Sequence, residues 1–165
     1  MRIRPATPDD AEAIAAIYND AIVNTTAILW HTPKPVSLWR ERLTGRPSAF
    51  PVLVAEDESG AVVGFALLGP YDDKCGYKDV AEWSLYIDQA RRGKGVGRSL
   101  ADALFDKARA DGRLHSVLSR VTAGNEASFR LHDRLGFTKV GTFKGLGEKF
   151  GERHDVVVYQ LLLQQ

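Results

Sequence analysis

Apolar and polar positions alternate from Ala81 to Ile87, with Trp83, Leu85 and Ile87 on one side and Glu82, Ser84 and Tyr86 on the other. A period of two predicts a strand with unlike faces. Beyond it, Leu100, Leu104 and Ala108 recur at helical spacing with Ala103 beside them, so a helix runs from Gly97 and Asp111-Gly112 stops it. Upstream, Ile3 to Pro5 reads as a short strand. Thr7-Pro8-Asp9-Asp10 opens a helix that buries Ala11, Ile14, Ala15 and Tyr18. Ser37 caps a second helix through Leu43, ended by Gly45, and the aperiodic stretch Asn24 to Val36 between the two is a loop placed over a site. Pro51 to Ala55 and Val62 to Leu68 form a hairpin across Glu56 to Gly60. Gly69 to Asp79 is a polar loop. The remaining elements are a strand at Ser116 to Val121, a helix at Asn125 to Leu135, a strand near Phe137 to Thr142 and a last strand from Asp155 to Leu163. Gly145 to Arg153, polar and glycine-rich, separates the last two. Helices separated by strands imply a mixed α/β fold, one sheet covered on both faces.

Composition narrows the classes. The 165 residues predict a single domain over 1–165, with chain enough for a sizeable core. At 44% hydrophobic and 26% charged the composition is that of a globular protein, and a net charge of +1 supplies no bulk attraction to nucleic acid or anionic membrane. No stretch approaches the roughly eighteen continuous apolar residues of a membrane span, and the N-terminus lacks the apolar core of a secretory signal. The expected location is cytoplasmic. Cys75 is the only cysteine, so it forms no disulfide within the chain. His31, His115 and His154 show no clustering with metal-ligand spacing, and no metal is expected.

The segment Arg92-Gly93-Lys94-Gly95-Val96-Gly97, followed by Arg98, joins the alternating strand to the helix. A glycine-rich turn at a helix N-terminus exposes several backbone N–H groups, and the helix dipole adds partial positive charge; phosphate or pyrophosphate is the natural guest. Lys94 is followed by Gly95, which excludes a P-loop, and glycines at 93, 95 and 97 do not fit the dinucleotide fingerprint. The string fits [QR]-x-x-G-x-[GA] through Arg92, Gly95 and Gly97. A basic surface turn is the bland alternative.

This motif resembles the pyrophosphate loop of the GNAT N-acetyltransferases, which bind acetyl-CoA, and the order β-α-α-β-β-β-α-β-α-β-β resembles their fold along the whole chain. Within that family the chain is most similar to the phosphinothricin-type amino-acid N-acetyltransferases. Ile17 to Ala21, Asn24 to Ala27, Glu82 with Ser84 and Tyr86, and Lys149-Phe150-Gly151 followed by His154-Asp155 carry that likeness. Trp83 stands where the subgroup often has histidine, and Asp72 to Cys75 where it has aromatic residues and arginine. The resemblance implies a mixed, mostly antiparallel sheet whose splayed strands hold CoA. It also implies that Leu85, Tyr86 and Ile87 present main chain to the pantetheine arm, with the Leu85 N–H as oxyanion donor, and that Asn125 and Ser128 contact the cofactor. For the acceptor it implies Thr26, Lys78, Glu82 and Lys149, and for the assembly a homodimer. The long apolar run Val156 to Leu163 argues for the same assembly, because a bare edge strand of that kind must be covered.

Direct acetyl transfer needs an amine that loses its proton, a stabilised thioester oxygen and a protonated leaving thiolate. Glu82, on the polar face of its strand, is the acid/base candidate. A free glutamate pKa of about 4.3 is far below that of an amine, so its expected role is to hold the ammonium and relay its proton through water. A solvent-facing strand carboxylate is the plainer reading. On the helix from Asn125, at about 100° per residue, Glu126, Arg130, Asp133 and Arg134 face solvent, Ala127, Leu131 and Leu135 face the core, and Asn125, Ser128 and His132 form a bordering stripe. N-capping accounts for the first two. His132 is either a packed structural residue or, as the resemblance implies, the acid that protonates the thiolate.

The expected activity is therefore acetyl-CoA-dependent N-acetylation of a small amine, an amino acid or analogue such as phosphinothricin or methionine sulfoximine. The alternatives are a protein N-terminal or lysine acetyltransferase and a non-catalytic acyl-CoA-binding module.

Overall fold

A computed structural model describes residues 1–163; Gln164 and Gln165, the end of the domain expected over 1–165, lie outside the described residues. In chain order the elements are β1 (Arg2–Pro5), α1 (Ala11–Asn24), α2 (Val36–Leu43), β2 (Val52–Glu56), β3 (Val62–Pro70), β4 (Val80–Ile87), α3 (Val96–Asp111), β5 (Ser116–Thr122), α4 (Glu126–Leu135), β6 (Thr138–Lys149) and β7 (Glu152–Leu162). The strands form one sheet in the order β1-β2-β3-β4-β5-β7-β6. Its neighbours are antiparallel except β4 and β5.

Alternation along the strands divides the core in two. Val52, Val54 and Phe65 turn to one face and pack with Ile14, Tyr18 and Ile22 of α1 and Trp39 of α2. Leu53, Ala55, Ala66 and Trp83 turn to the other and pack with Leu100, Leu104 and Phe105 of α3. The expected faces of β4 and α3 are thus the observed ones. α1 is preceded by a short 3-10 turn, Pro8–Asp10, in which the buried Asp10 accepts the Thr7 N–H at 2.7 Å and pairs with Arg4. Hydrogen bonds from the Arg4 guanidinium hold the Asp10 carboxyl below the usual carboxylate range.

Three expectations are corrected. α2 starts at Val36 after Pro35, so Ser37 lies inside the helix and does not cap it. Gly145 to Arg153 is not a connecting loop: β6 and β7 continue through it and meet in a tight turn at Phe150-Gly151, both with positive φ, as a two-residue hairpin requires. Its glycines serve the ladder. The register shifts between Phe143 and Gly147, and a Cβ at Gly147 would lie 2.2 Å from a Leu29 methyl carbon. Finally, β7 lies between β5 and β6, so the apolar last strand is already covered, and the edge at that end of the sheet belongs to β6.

Candidate active site

The parallel ladder between β4 and β5 runs only from Val80–Ser116 to Glu82–Leu118. Past that point β4 pairs with β3 alone and β5 with β7 alone, so the two strands part. Hydrogen-bond phase then decides what β4 shows to the gap. Tyr71 N–H donates to Val80 C=O at 3.1 Å and Asp88 N–H to Val63 C=O at 2.9 Å. In an antiparallel pair the bonded positions alternate, so Glu82, Ser84 and Tyr86 direct their main chain to β3. Trp83, Leu85 and Ile87 direct theirs to the gap. Tyr86, expected with Leu85 and Ile87 as a main-chain contact, turns its backbone away, and its ring packs on Tyr18 and Phe65.

The gap opens into a cleft of about 640 Å³, bounded by Thr25, Thr26 and Ala27, by β4 from Trp83 to Ile87, by the turn at Arg91 to Arg98, by β5 from Ser119 to Thr122, and by α4. At the turn, Gly93 and Gly95 take φ of 74° and 82°, a region that disfavours residues with a Cβ. No atom lies within 4 Å of a Cβ built on Gly95, whereas one on Gly97 would press the Leu85 side chain at 3.2 Å. Gly95 thus leaves room above the helix N-terminus and Gly97 allows α3 to close on β4. The helix ladder starts with Ser99 N–H to Gly95 C=O at 3.1 Å, so the amides of Val96, Gly97 and Arg98 have no acceptor within the helix. These donors, together with Arg92, suit a diphosphate. Arg92 itself donates to Ile87 C=O at 3.3 Å, Lys94 to Ala90 C=O, and Arg98 is paired with Asp102.

α4 departs from its expected orientation only in part. Leu131 and Leu135 pack against the core as expected, but Ala127 is exposed and lines the cleft, while the residue placed at the border, His132, is buried with 2% exposure. Its surroundings define its protonation. Nδ1 lies 2.7 Å from Ser128 C=O, an acceptor, so Nδ1 carries the hydrogen. Nε2 receives the indole N–H of Trp83 at 3.3 Å and lies 2.8 Å from Ser119 Oγ. Burial holds the imidazole pKa below its ordinary value. The ring is neutral and accepts at Nε2. Asn125 caps α4 by accepting Ser128 N–H at 3.2 Å, which leaves its amide N–H groups for another partner.

Glu82 points to the opposite face of the sheet from Trp83 and His132, toward the Thr25–Ala27 side. There its two carboxylate oxygens meet Arg120 of β5 at 2.6 and 2.8 Å. Arg120 was not expected, since it occupies an ordinary alternating position of its strand. Lys149 is not free to meet an anion in this state. Only 2% exposed, its ammonium donates to the carbonyls of Ile22, Thr25 and Ile28 at 2.5–2.6 Å. Lys78 lies on the exposed loop before β4, outside the residues that bound the cleft. Among the described residues no three His, Cys, Asp or Glu side chains gather as a metal site, and no helix is long and apolar enough to cross a membrane.

A strand pair that parts beside a helix N-terminus built for a diphosphate, with a carboxylate at the fork, is the arrangement of an acyl-CoA-dependent transferase. Residues 3–158 match the family model of the acetyltransferase (GNAT) domain, and the chain belongs to that family; it is an N-acetyltransferase. It is 41% identical, over 98% of its length and 94% of the relative's, to the L-methionine sulfoximine/L-methionine sulfone acetyltransferase of Pseudomonas paraeruginosa. Among solved structures it resembles the ribosomal-protein-alanine N-acetyltransferase of Brucella melitensis, with a TM-score of 0.92, 40% identity and coverage of 98% of this chain and 99% of that one. It also resembles yncA of Salmonella typhimurium, solved with acetyl-CoA, with a TM-score of 0.91, 36% identity and coverage of 100% and 95%.

Proposed function

We propose that the protein transfers the acetyl group of acetyl-CoA directly to the amine of a small amino acid or analogue, of the kind of methionine sulfone, methionine sulfoximine or phosphinothricin. The observation that carries this reading is the cleft at the β4–β5 fork, with amide donors at one end and, at the last rung of the parallel ladder, Glu82 paired with the cleft residue Arg120. Acetyl-CoA, when bound, supplies an activated thioester. The amides of Gly95 to Arg98 hold its diphosphate, Leu85 and Ile87 bind the pantetheine arm as an added strand would, and the Asn125 side chain assists. The Leu85 N–H is directed at the thioester oxygen, where charge develops. Glu82 holds the acceptor ammonium and passes its proton to water; as the C–S bond breaks, the departing CoA thiolate takes up the amine's second proton by way of the solvent.

His132 enters this reading as a positioning residue. A neutral imidazole that accepts from Trp83 has no Nε2 proton to give a thiolate, and its role is to fix Ser119 and Trp83 along the cleft wall. A homodimer, and a cytoplasmic location, complete the reading. The support for the dimer is the β6 edge, where Val140, Phe143, Leu146 and, at the hairpin tip, Phe150 are exposed on a strand with only one neighbour, a surface that partners normally cover.

The test is a panel of amino acids, amino-acid analogues and an alanine-initiated peptide with acetyl-CoA, read by release of free CoA thiol. The reading predicts turnover with one or more amino acids well above that with the peptide. Turnover confined to the peptide would assign the chain to protein N-terminal acetylation, and no turnover with any amine would leave a CoA-binding module.

A further inference from the structure

Arg120 is bound to the group expected to hold the acceptor amine, yet nothing in the fold requires it. It sits on β5 opposite Val158, its side chain is 58% exposed, and its guanidinium makes a two-point contact with Glu82, itself 27% exposed. Leu118, one bonded position along β5, is the register partner of Glu82, so Arg120 lies past the last rung of the parallel ladder. It therefore projects from the mouth of the fork on the same sheet face as Glu82, under Thr25 to Ala27.

We propose that Arg120 reads the α-carboxylate of the acceptor while Glu82 holds its α-ammonium; this rests on the amino-acid reading above. The two protein charges stand in resting contact, and a zwitterion brings the complementary pair. When it enters, the ammonium replaces the guanidinium on Glu82, and the carboxylate replaces Glu82 on Arg120. Every charge keeps an opposite partner, so no ion is left unpaired at the fork. A half-exposed ion pair is held weakly, so its opening opposes binding little. Arginine suits this task because its planar fork of donors matches a carboxylate in two-point geometry. An amine without a carboxylate would meet Glu82 still held by Arg120, and would have to displace the guanidinium without offering it an anion.

The experiment compares L-methionine sulfone with its α-carboxamide, in the native protein and in Arg120→Ala and Arg120→Lys, with acetyl-CoA affinity measured by calorimetry in all three. The expected result is a rise of at least tenfold in KM for the acid in Arg120→Ala, less than threefold for the amide, and an intermediate value for the acid in Arg120→Lys. Acetyl-CoA affinity should remain within a factor of about two. A preference for acid over amide that survives in Arg120→Ala overturns the assignment. So does an equal loss of kcat on both substrates, which would make Arg120 a support for Glu82, or a loss of acetyl-CoA binding, which would assign it to the fold. A native enzyme that acetylates no amino acid overturns the amino-acid reading itself, whereas failure confined to the variants overturns only the role of Arg120.

Discussion

Replacing Lys149 by methionine keeps the length of the side chain and removes its donors. In the native protein the ammonium serves the carbonyls of Ile22, in the last turn of α1, and of Thr25 and Ile28, in the loop that borders the cleft. A helix end has no donors of its own for its last carbonyls, so Lys149 acts as a cap that arrives from the far strand. The same hairpin grips the loop at His31, whose Nε2 lies 3.0 Å from Glu148 C=O. A buried carbonyl deprived of its donor costs about 1–3 kcal/mol. Thr25 and Ile28 are on a loop that can turn toward water, and loss of a buried charge returns desolvation energy, so the low end applies. Three carbonyls then give a destabilisation of about 3 kcal/mol. For a domain of this size 1 kcal/mol moves Tm by about 2–4 °C, so Lys149→Met should melt roughly 6–12 °C lower. Because Thr25 to Ala27 bound the cleft, KM for the amino-acid acceptor should rise as well. Thermal unfolding and steady-state kinetics on the same preparation test both. A Tm within about 2 °C of native with an unchanged KM would refute the clasp and return Lys149 to the surface.

Glu82→Gln should lower kcat most at the acid end of the pH profile, where the acceptor ammonium is hardest to deprotonate, with acetyl-CoA affinity unchanged; a flat ratio to native across pH would remove Glu82 from proton transfer. His132 is held below its ordinary pKa by burial, so the folded state binds fewer protons than the unfolded chain as pH falls past about 6.5. Stability from this group is thus present above that pH and lost below it, and His132→Asn, although less stable at pH 8, should lose less Tm between pH 7 and 5 than the native protein does. Equal slopes would show that His132 is not held neutral. Light scattering should find a dimer at micromolar concentration and a monomer after Val140→Glu with Phe143→Glu on the β6 edge; a native monomer would contradict that assembly.

What the sequence shows and what it hides separate along a physical line. The proposed cofactor end of the site rests on neighbours in the chain. The alternation of Trp83 to Ile87, the glycines at 93, 95 and 97 and the face of Leu100, Leu104 and Ala108 all declare themselves within a few residues, and the fold bears them out. The proposed acceptor end rests on pairings between distant strands. Glu82 meets Arg120 across 38 positions, and Lys149 finds its carbonyls 121 to 127 positions away. Periodicity carries no trace of such contacts, so Arg120 does not stand out within its strand, and the resemblance offers Lys149 to the acceptor although the fold holds it on backbone carbonyls. His132 shows the same limit. Its angular position was right to within one stripe, but its burial follows from Trp83 and Ser119, which satisfy it from other strands. Gly145 to Arg153 misled for a different reason: glycine signals a loop by composition, whereas here it permits a bulged, closely packed ladder.

The claim on which the rest depends is that the fork of β4 and β5, closed by the N-terminus of α3, holds CoA through its diphosphate. Gly95→Val probes it directly, because Gly95 has φ of 82° and open space where a Cβ would stand. Titration calorimetry with CoA should show saturable one-to-one binding to the native protein and none to a variant that retains the native circular dichroism spectrum. Unchanged CoA binding by that folded variant would contradict the account at its root.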